Sequence, residues 1–213
     1  MLIKKCVLLF SGNGSNLENL LKNQFLHIDK LKYISAFTNN SKARGIDVCK
    51  SFNLEVVTSL EKDPNIDLKA FLKKNEPDLI VLSGYMKIIP DDIVKEYKGK
   101  IINIHPSLLP KYPGLNTYKK VIDNNDKKHG VTIHFVTEEL DGGPIILQGK
   151  FNIDEPLNEG ILEVFTHKLE YEMFPKVIMW FADGIIKLES NKVLFKDKEI
   201  NSPIIYITSI KNL

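Results

Sequence analysis

The sequence predicts an α/β protein built on a mostly parallel sheet flanked by helices. Apolar runs typical of strands buried on both faces recur through the first half of the chain, and a segment with helical spacing follows each of them up to residue 97. Strands that alternate with helices indicate parallel pairing through right-handed crossovers. A chain of 213 residues, of which 43% are hydrophobic, can bury such a core without disulfides.

The first half supplies the alternating elements. The run at residues 6–10 predicts the first buried strand, and apolar residues with helical spacing follow at Leu17, Leu20 and Leu21. Ser41 is the predicted cap of a second helix that ends near Phe52. The further predicted strands are residues 33–38, 55–57, 79–82 and 101–105, and the further predicted helices are residues 66–75 and 90–97.

The second half departs from this alternation. Residues 106–128 are rich in proline and polar side chains, which predicts a loop with a short helix over residues 116–124. Strands are predicted over residues 130–136 and 144–151, and a long amphipathic helix over residues 157–181, kinked at Pro175. Short strands with turns follow. The sequence shows no linker and no repeat, so we expect one domain over residues 1–213.

The composition excludes several classes of protein. Lysine and arginine number 29 against 27 aspartate and glutamate, and this net charge of +2 gives no basic footprint for nucleic acid. The two cysteines form no CxxC pair, and no HxH or HExxH spacing occurs, so we expect no metal site. No apolar run reaches the roughly 18 residues of a membrane span. We therefore expect a cytoplasmic protein without membrane or nucleic-acid partners.

A glycine loop joins the first strand to the first helix. Gly12, Asn13, Gly14, Ser15 and Asn16 could let backbone amides and the positive end of a helix face an anion such as phosphate. A tight turn with a capping serine or asparagine explains the same residues. Because the chain has a single arginine, Arg44, an anion site here must rely mainly on amides and lysines.

Asn103 and His105 form the second candidate group. They are two residues apart on a predicted strand, so their side chains leave the same face at the carboxyl end, where open α/β sheets bind ligands. An amide and an imidazole aimed at one point suit a carbonyl oxygen that gains negative charge. A histidine satisfied within the core is the alternative.

The third candidate is the polar loop over residues 138–144. Asp141 could hold the tautomer of His105 and raise its pKa, or it could bond its own backbone in a turn. Sequence spacing alone does not place Asp141 beside His105. His134 is either a participant or a core residue, and His27, His129 and His167 are interpreted as structural or solvated.

Taken together, the motifs resemble those of the phosphoribosylglycinamide formyltransferase family. The matching stretches are residues 10–17, 82–89, 103–114, 134–148 and 180–184. The resemblance implies a Rossmann-like phosphate-binding half (1–100) that continues, through one sheet, into a catalytic and folate-binding half (101–213) with antiparallel strands. It implies transfer of the formyl group of 10-formyltetrahydrofolate to the amine of glycinamide ribonucleotide, in purine (IMP) synthesis, by a monomer or homodimer without a metal.

The resemblance also assigns site residues. It implies a catalytic trio of Asn103, His105 and Asp141. It implies ribonucleotide contacts from Asn13, Gly14, Ser15, Asn16, Pro106 and Glu170. It implies folate contacts from Met86, Lys87, Ile88, Ile89, Asn103, Glu138, Glu139, Leu140 and Asp141, beside a mobile loop over residues 111–129. Lys87 stands where the family usually has arginine, and Lys62 is a candidate substitute for a second family arginine.

Three other functions stay open at this point. A formyltetrahydrofolate deformylase shares the loop around Asp141, but we expect it to carry a regulatory domain before the first strand. A methionyl-tRNA formyltransferase needs a basic tRNA-binding domain, which a net charge of +2 does not supply. A binding module that kept the fold without catalysis is the alternative from a different class.

Overall fold

The computed structural model describes residues 2–26, 28–153 and 157–207. Within them the elements, in chain order, are β1 (Lys4–Phe10), α1 (Ser15–Lys22), a short 3-10 helix (Gln24–Leu26), β2 (Leu31–Thr38), α2 (Gly45–Ser51), β3 (Val56–Thr58), α3 (Pro64–Asn75), β4 (Leu79–Leu82), α4 (Asp91–Glu96), β5 (Ile101–His105), α5 (Thr117–Asp123), β6 (Lys128–Phe135), β7 (Ile145–Asn152), α6 (Glu159–Ala182), β8 (Ile186–Glu189), β9 (Lys192–Phe195), β10 (Lys198–Glu199) and β11 (Ile204–Ile207).

A single mixed sheet holds most of these strands. Within the described residues its order is β3-β2-β1-β4-β5-β6-β7-β11. The strands from β3 to β5 are parallel, β6 is antiparallel to both β5 and β7, and β11 is parallel to β7. A separate antiparallel sheet contains β8, β9 and β10. The predicted α/β class is therefore confirmed, together with the predicted switch to antiparallel strands in the second half.

The first strand shows why the sheet is covered on both faces. Its residues from Cys6 to Phe10 are all fully buried. Cys6, Leu8 and Phe10 belong to a core that includes residues of α1 and α6, whereas Val7 and Leu9 belong to a second core with residues of α3 and α4. A strand buried this way has no polar face, which explains its continuous apolar run.

The turns after β1 and β4 lie side by side. The Ser11 amide donates to the Gly84 carbonyl at 3.0 Å, and the Ser11 hydroxyl accepts from the Met86 amide at 2.8 Å. The chain leaves β1 toward β2 on one side and returns through β4 on the other, so the sheet order reverses here. Open α/β sheets form their ligand crevices at such a switch point.

Two predicted helix starts are wrong. Ser41 does not cap α2, which begins at Gly45, because residues 41 and 42 form a turn in which Asn40 Oδ1 accepts from the Lys42 amide. Helix α3 begins at Pro64 rather than residue 66, because the carboxylate of Asp63 caps it by accepting from the Asn65 amide at 3.0 Å.

The long helix α6 runs from residue 159 to 182 with Pro175 inside it. Its start is fixed by Asn158, whose side chain accepts from the Ile161 amide. The kink expected at Pro175 stays a prediction. No helix in the described part of the chain combines the length and the apolar character needed to span a bilayer.

Candidate active site

Strands β5 and β6 place the central polar side chains by their register. Asn103 is the cross-strand partner of His134, and His105 is the partner of Thr132. Residues directly opposite in an antiparallel pair have side chains on the same face. Asn103, His105 and His134 therefore share one face of the sheet near the carboxyl end of β5.

Asp141 reaches this group from the loop between β6 and β7. Its Oδ2 lies 3.4 Å from Nδ1 of His105, and its Oδ1 accepts from Nδ2 of Asn103 at 3.4 Å. The backbone of Asp141 is left-handed, with φ of 52°, and Oδ2 also accepts from the Gly114 amide at 2.8 Å. The structure thus brings together the three predicted side chains, a proximity that sequence spacing did not provide.

The carboxyl group of Asp141 is ionised at neutral pH. Burial raises its pKa, but the contacts with His134 and the Gly114 amide, and the neighbouring charge of His105, outweigh burial and lower the pKa to about 2. Only 10% of this side chain is exposed. The site therefore holds a nearly buried negative charge, which water screens less than it would a charge on the surface.

His105 has a protein group near each of its ring nitrogens. Nε2 lies 2.9 Å from the Tyr112 carbonyl, which can only accept, so Nε2 carries a proton. Burial lowers the pKa of the ring, and this outweighs the opposing effects of Asp141 and of the Tyr112 carbonyl. Asp141 raises the pKa of His105, as expected, but the net shift is downward and does not favour the protonated ring, because the ring is 7% exposed and desolvation dominates.

His134 fixes the amide of Asn103. Nδ1 of His134 lies 2.9 Å from the Phe135 carbonyl, so in the neutral ring the proton is on Nδ1 and Nε2 is an acceptor. Nε2 lies 3.2 Å from Nδ2 of Asn103, which turns the NH₂ group of that amide toward His134 and Asp141. The sequence left His134 open between participant and core residue, and the structure places it in contact with Asn103.

The glycine loop closes against the start of α2. Gly14 has φ of 78°, and a Cβ there would lie 2.7 Å from Cα of Gly45. The Gly45 amide donates to the Gly12 carbonyl at 3.1 Å. Only glycine fits at position 14, where it precedes the first residue of α1, and this N-cap position supplies no side-chain hydrogen bond to the amides at the start of that helix.

Asn16 connects this loop to α6. Its Nδ2 donates to Oε2 of Glu170 at 2.8 Å, and Oδ1 of Asn16 is buried without a partner among the described residues. Burial raises the pKa of Glu170 to about 7; the Asn16 hydrogen bond opposes this shift and Glu163 adds to it. The structure therefore brings together two of the predicted ribonucleotide contacts, which are 154 residues apart.

The other predicted residues lie outside the contacts between Asn103, His105 and Asp141 and outside the contact between Asn16 and Glu170. Ile89 is buried, and Pro106 and Ser15 are half-buried. The exposed ones are Asn13, Met86, Lys87, Ile88, Glu138, Glu139 and Leu140, together with Lys62. No hydrogen bond between described residues joins the 86–89 segment to the 138–140 segment. The described residues of these two predicted parts of the folate site are therefore not in polar contact with each other.

The other histidines have different surroundings. His129 is buried edge-on between Tyr118 and Phe151, and burial lowers its pKa to about 4, so it is a core residue. His167 is stacked on Tyr171 and lies 3.8 Å from Glu170. His27 lies outside the described residues. No cluster of three metal-ligating side chains occurs among the residues that the structure describes.

Sequence reasoning missed the backbone contacts of Tyr112 and Gly114. Both residues belong to the predicted mobile loop, but no residue pattern indicates that a carbonyl and an amide from it would hold His105 and Asp141. Backbone groups are the same in every residue, so side-chain identity carries no signal for such contacts. The left-handed conformations of Tyr112 and Gly114 aim these groups inward.

Comparison with known proteins identifies the family to which the chain belongs. The model of the formyl transferase family matches residues 4–178, which include both clusters. The chain belongs to the formyl transferase family. Phosphoribosylglycinamide formyltransferase of Haemophilus influenzae is 37% identical over 206 residues, covering 93% of this chain and 96% of the relative. The enzyme of the same name from Escherichia coli is 37% identical over 197 residues, covering 87% and 90%.

Solved structures agree with this family assignment. Phosphoribosylglycinamide formyltransferase from Coxiella burnetii superimposes with a TM-score of 0.88 at 30% identity, covering 96% of this chain and all of the other. The enzyme of that name from Anaplasma phagocytophilum gives a TM-score of 0.87 at 31% identity. The resemblance inferred from the motifs is thereby confirmed, and the likeness extends over nearly the whole chain of this formyl transferase.

Proposed function

We propose that this formyl transferase moves the formyl group of 10-formyltetrahydrofolate to the amine of glycinamide ribonucleotide, in the synthesis of IMP. The products are formylglycinamide ribonucleotide and tetrahydrofolate. The observation that carries the proposal is the convergence of Asn103, His105 and Asp141 at the carboxyl end of β5. The relatives at 37% identity bear the name of this activity and match almost end to end.

The protein does not have to supply a nucleophile, because the substrate amine is the nucleophile. The neutral amine attacks the formyl carbon, the carbonyl electrons move to oxygen, and the bond to the folate nitrogen then breaks. One proton leaves the attacking nitrogen and one reaches the leaving nitrogen, so the reaction is balanced without an oxidant or a metal. The site must align two substrates, stabilise the oxyanion and carry the proton.

Asn103 is the proposed oxyanion donor. Its contact with Asp141 is 3.4 Å long, at the limit of a hydrogen bond, whereas His134 holds the same amide nitrogen at 3.2 Å. The weaker contact can be exchanged for a substrate oxygen while His134 keeps the amide oriented. A donor fixed in advance of the reaction stabilises developing charge without reorganisation.

In the proposal Asp141 assists proton transfer through His105, which in its protonated form is the second donor to the oxyanion. The Asp141 carboxylate, with its pKa of about 2, stays ionised near the attacking amine and stabilises positive charge that develops there. Nδ1 of His105 lies 3.4 Å from this carboxylate and can take up a proton as the oxyanion forms. The proton then passes to the folate nitrogen that leaves.

Ribonucleotide and folate bind to different segments around this centre in the proposal. Amides of Gly14, Ser15 and Asn16 at the start of α1 receive the phosphate, with Asn13 and Pro106 beside it, and Glu170 contacts the ribonucleotide. The segments 86–89 and 138–141 hold the folate. Residues 1–100 then serve phosphate binding and residues 101–213 serve catalysis, in a cytoplasmic monomer or homodimer.

The test separates this activity from its rivals. Protein is incubated with 10-formyltetrahydrofolate, with and without glycinamide ribonucleotide, and the deformylated folate is followed. We expect turnover only when the ribonucleotide is present. Formyl loss without it indicates a deformylase, and no loss in either mixture indicates a binding module; either result contradicts the proposal.

The residue assignments are tested by two variants and a control. His105→Ala and Asn103→Ala are each expected to reduce kcat by about 10²–10³. Asn152→Ala, which changes an exposed asparagine at the end of β7, should keep full activity. Near-normal turnover of either active-site variant would remove that residue from the mechanism.

A further inference from the structure

We propose that Asp126 is a positioning residue for the formyl transfer, because it anchors the segment 111–114 whose backbone holds His105 and Asp141. The inference rests on the proposed function for its catalytic consequence. Asp126 lies in the turn between α5 and β6 and touches neither His105 nor Asp141 directly in the described structure.

The anchor consists of three hydrogen bonds to one carboxylate. Nζ of Lys111 donates to Oδ1 at 2.9 Å and to Oδ2 at 3.0 Å, and the hydroxyl of Tyr112 donates to Oδ2 at 3.0 Å. The Asp126 side chain is 14% exposed, whereas that of Lys111 is 61% exposed. The partly buried tyrosine contact is therefore expected to hold more strongly than the solvated lysine contact.

The anchored segment in turn holds both members of the catalytic pair. The Tyr112 carbonyl accepts from Nε2 of His105 at 2.9 Å, and the Gly114 amide donates to Oδ2 of Asp141 at 2.8 Å. One contact fixes the ring tautomer and the other fixes the carboxylate. Asp126 is thus connected to each reacting group through a single short stretch of backbone.

The conformation of the segment explains why it needs an anchor. Tyr112 has φ of 58°, a left-handed conformation that is unfavourable for a bulky side chain. Gly114 and Asn116 are left-handed as well. Such backbone persists only where surrounding contacts hold it, and the side chain of Tyr112 finds its hydrogen-bond partner in Asp126.

The kinetic test compares Asp126→Asn with Asp123→Asn. Asp123 is the matched control, since it is exposed at the end of α5 and pairs with no described side chain. We expect Asp126→Asn to lower kcat about ten-fold and to leave KM for both substrates within two-fold. A general loss of structure would instead lower the folded fraction and the melting temperature at constant kcat per folded molecule.

A double-mutant cycle shows whether the effect passes through the segment. Tyr112→Phe removes the hydroxyl and keeps the ring, and it also serves if Asp126→Asn does not fold. We expect the losses of the two single variants to be less than additive in the double variant, because both changes act on the same hydrogen bond: Asp126→Asn replaces its charged acceptor with a neutral one, and Tyr112→Phe removes its donor. Additive losses, an unchanged kcat or a raised kcat would overturn the proposal.

A second readout does not depend on activity. Hydrogen exchange of the Gly114 amide, which is bonded to Asp141, is expected to accelerate at least ten-fold in Asp126→Asn, while exchange of the buried Val81 amide in β4 stays the same. If the unaltered protein transfers no formyl group, the proposed function fails while this measurement still tests the anchor. Unchanged exchange at Gly114 would overturn the anchor.

Discussion

Glu170 offers a stability prediction whose size follows from its surroundings. Glu170 is 3% exposed, lies on α6 and accepts one hydrogen bond, from Asn16. Burial disfavours the charged form and raises its pKa from 4.5 to about 7. Replacing Glu170 with glutamine keeps the shape and the acceptor for Asn16 but removes the charge that the core resists.

The magnitude comes from the difference between the folded and unfolded pKa values. A folded pKa above the unfolded one means that the native state is favoured most below pH 4.5 and loses stability as the pH rises through about 7. The full difference of about 2.5 units corresponds to about 3 kcal/mol at pH 8 and about 1 kcal/mol at pH 5. We therefore expect Glu170→Gln to be more stable than the unaltered protein at pH 8, with a gain that shrinks toward acid pH.

Urea unfolding at several pH values between 5 and 8 measures this gain directly. Glu96→Gln is the control, since Glu96 is exposed on α4 and forms no ion pair with a described residue. The glutamine variant should also raise KM for the ribonucleotide, because Glu170 is a proposed contact. A stability difference that is constant across pH would refute the reasoning that the buried charge of Glu170 destabilises the fold at neutral pH.

Three further predictions concern the catalytic loop and the phosphate site. Asp141→Asn should lower kcat by about 10²–10³; because the lowered pKa of about 2 contributes stability that is lost between about pH 4 and pH 2, the free energy of unfolding of the variant should fall by about 2 kcal/mol less than that of the unaltered protein over this range. Gly143→Ala should destabilise the fold by at least about 2 kcal/mol in urea, because its Cβ would lie 1.8 Å from the Phe135 carbonyl; Gly160→Ala, with ordinary contacts, is the control. KM for the ribonucleotide should rise between low and high salt, since charge holds the phosphate, and a flat response would contradict such a site.

The sheet was predictable where burial alone decides the pattern. β1 and β4 are apolar on both faces, and their sequences show it without ambiguity. The start of α2 was missed because its first turn follows from tertiary contact: Gly45 packs against Gly14, from the loop after β1. Local capping chemistry at Ser41 could not reveal a partner that lies far along the chain.

The site was predictable in its residues more than in its geometry. Asn103 and His105 share a face because strands alternate, and that much follows from spacing. The approach of Asp141 depends on a loop after a distant strand, so only the family resemblance could suggest it. The lowered pKa of His105 follows from the depth of its burial, and the residues next to it in the sequence do not indicate that depth.

The pairing of Asn103 with His134 across β5 and β6 has a consequence for how this enzyme can change over time. The connection of 22 residues between the two strands, from 106 to 127, lies outside the ladder, so a change of its length away from the segment 111–114 and Asp126 leaves the contact between the Asn103 amide and the His134 imidazole in place. A one-residue insertion inside either strand would turn one of the partners to the other side of the sheet. Insertions and deletions should therefore be tolerated in the part of the connection that contacts neither His105, Asp141 nor Asp126, and not inside β5 or β6.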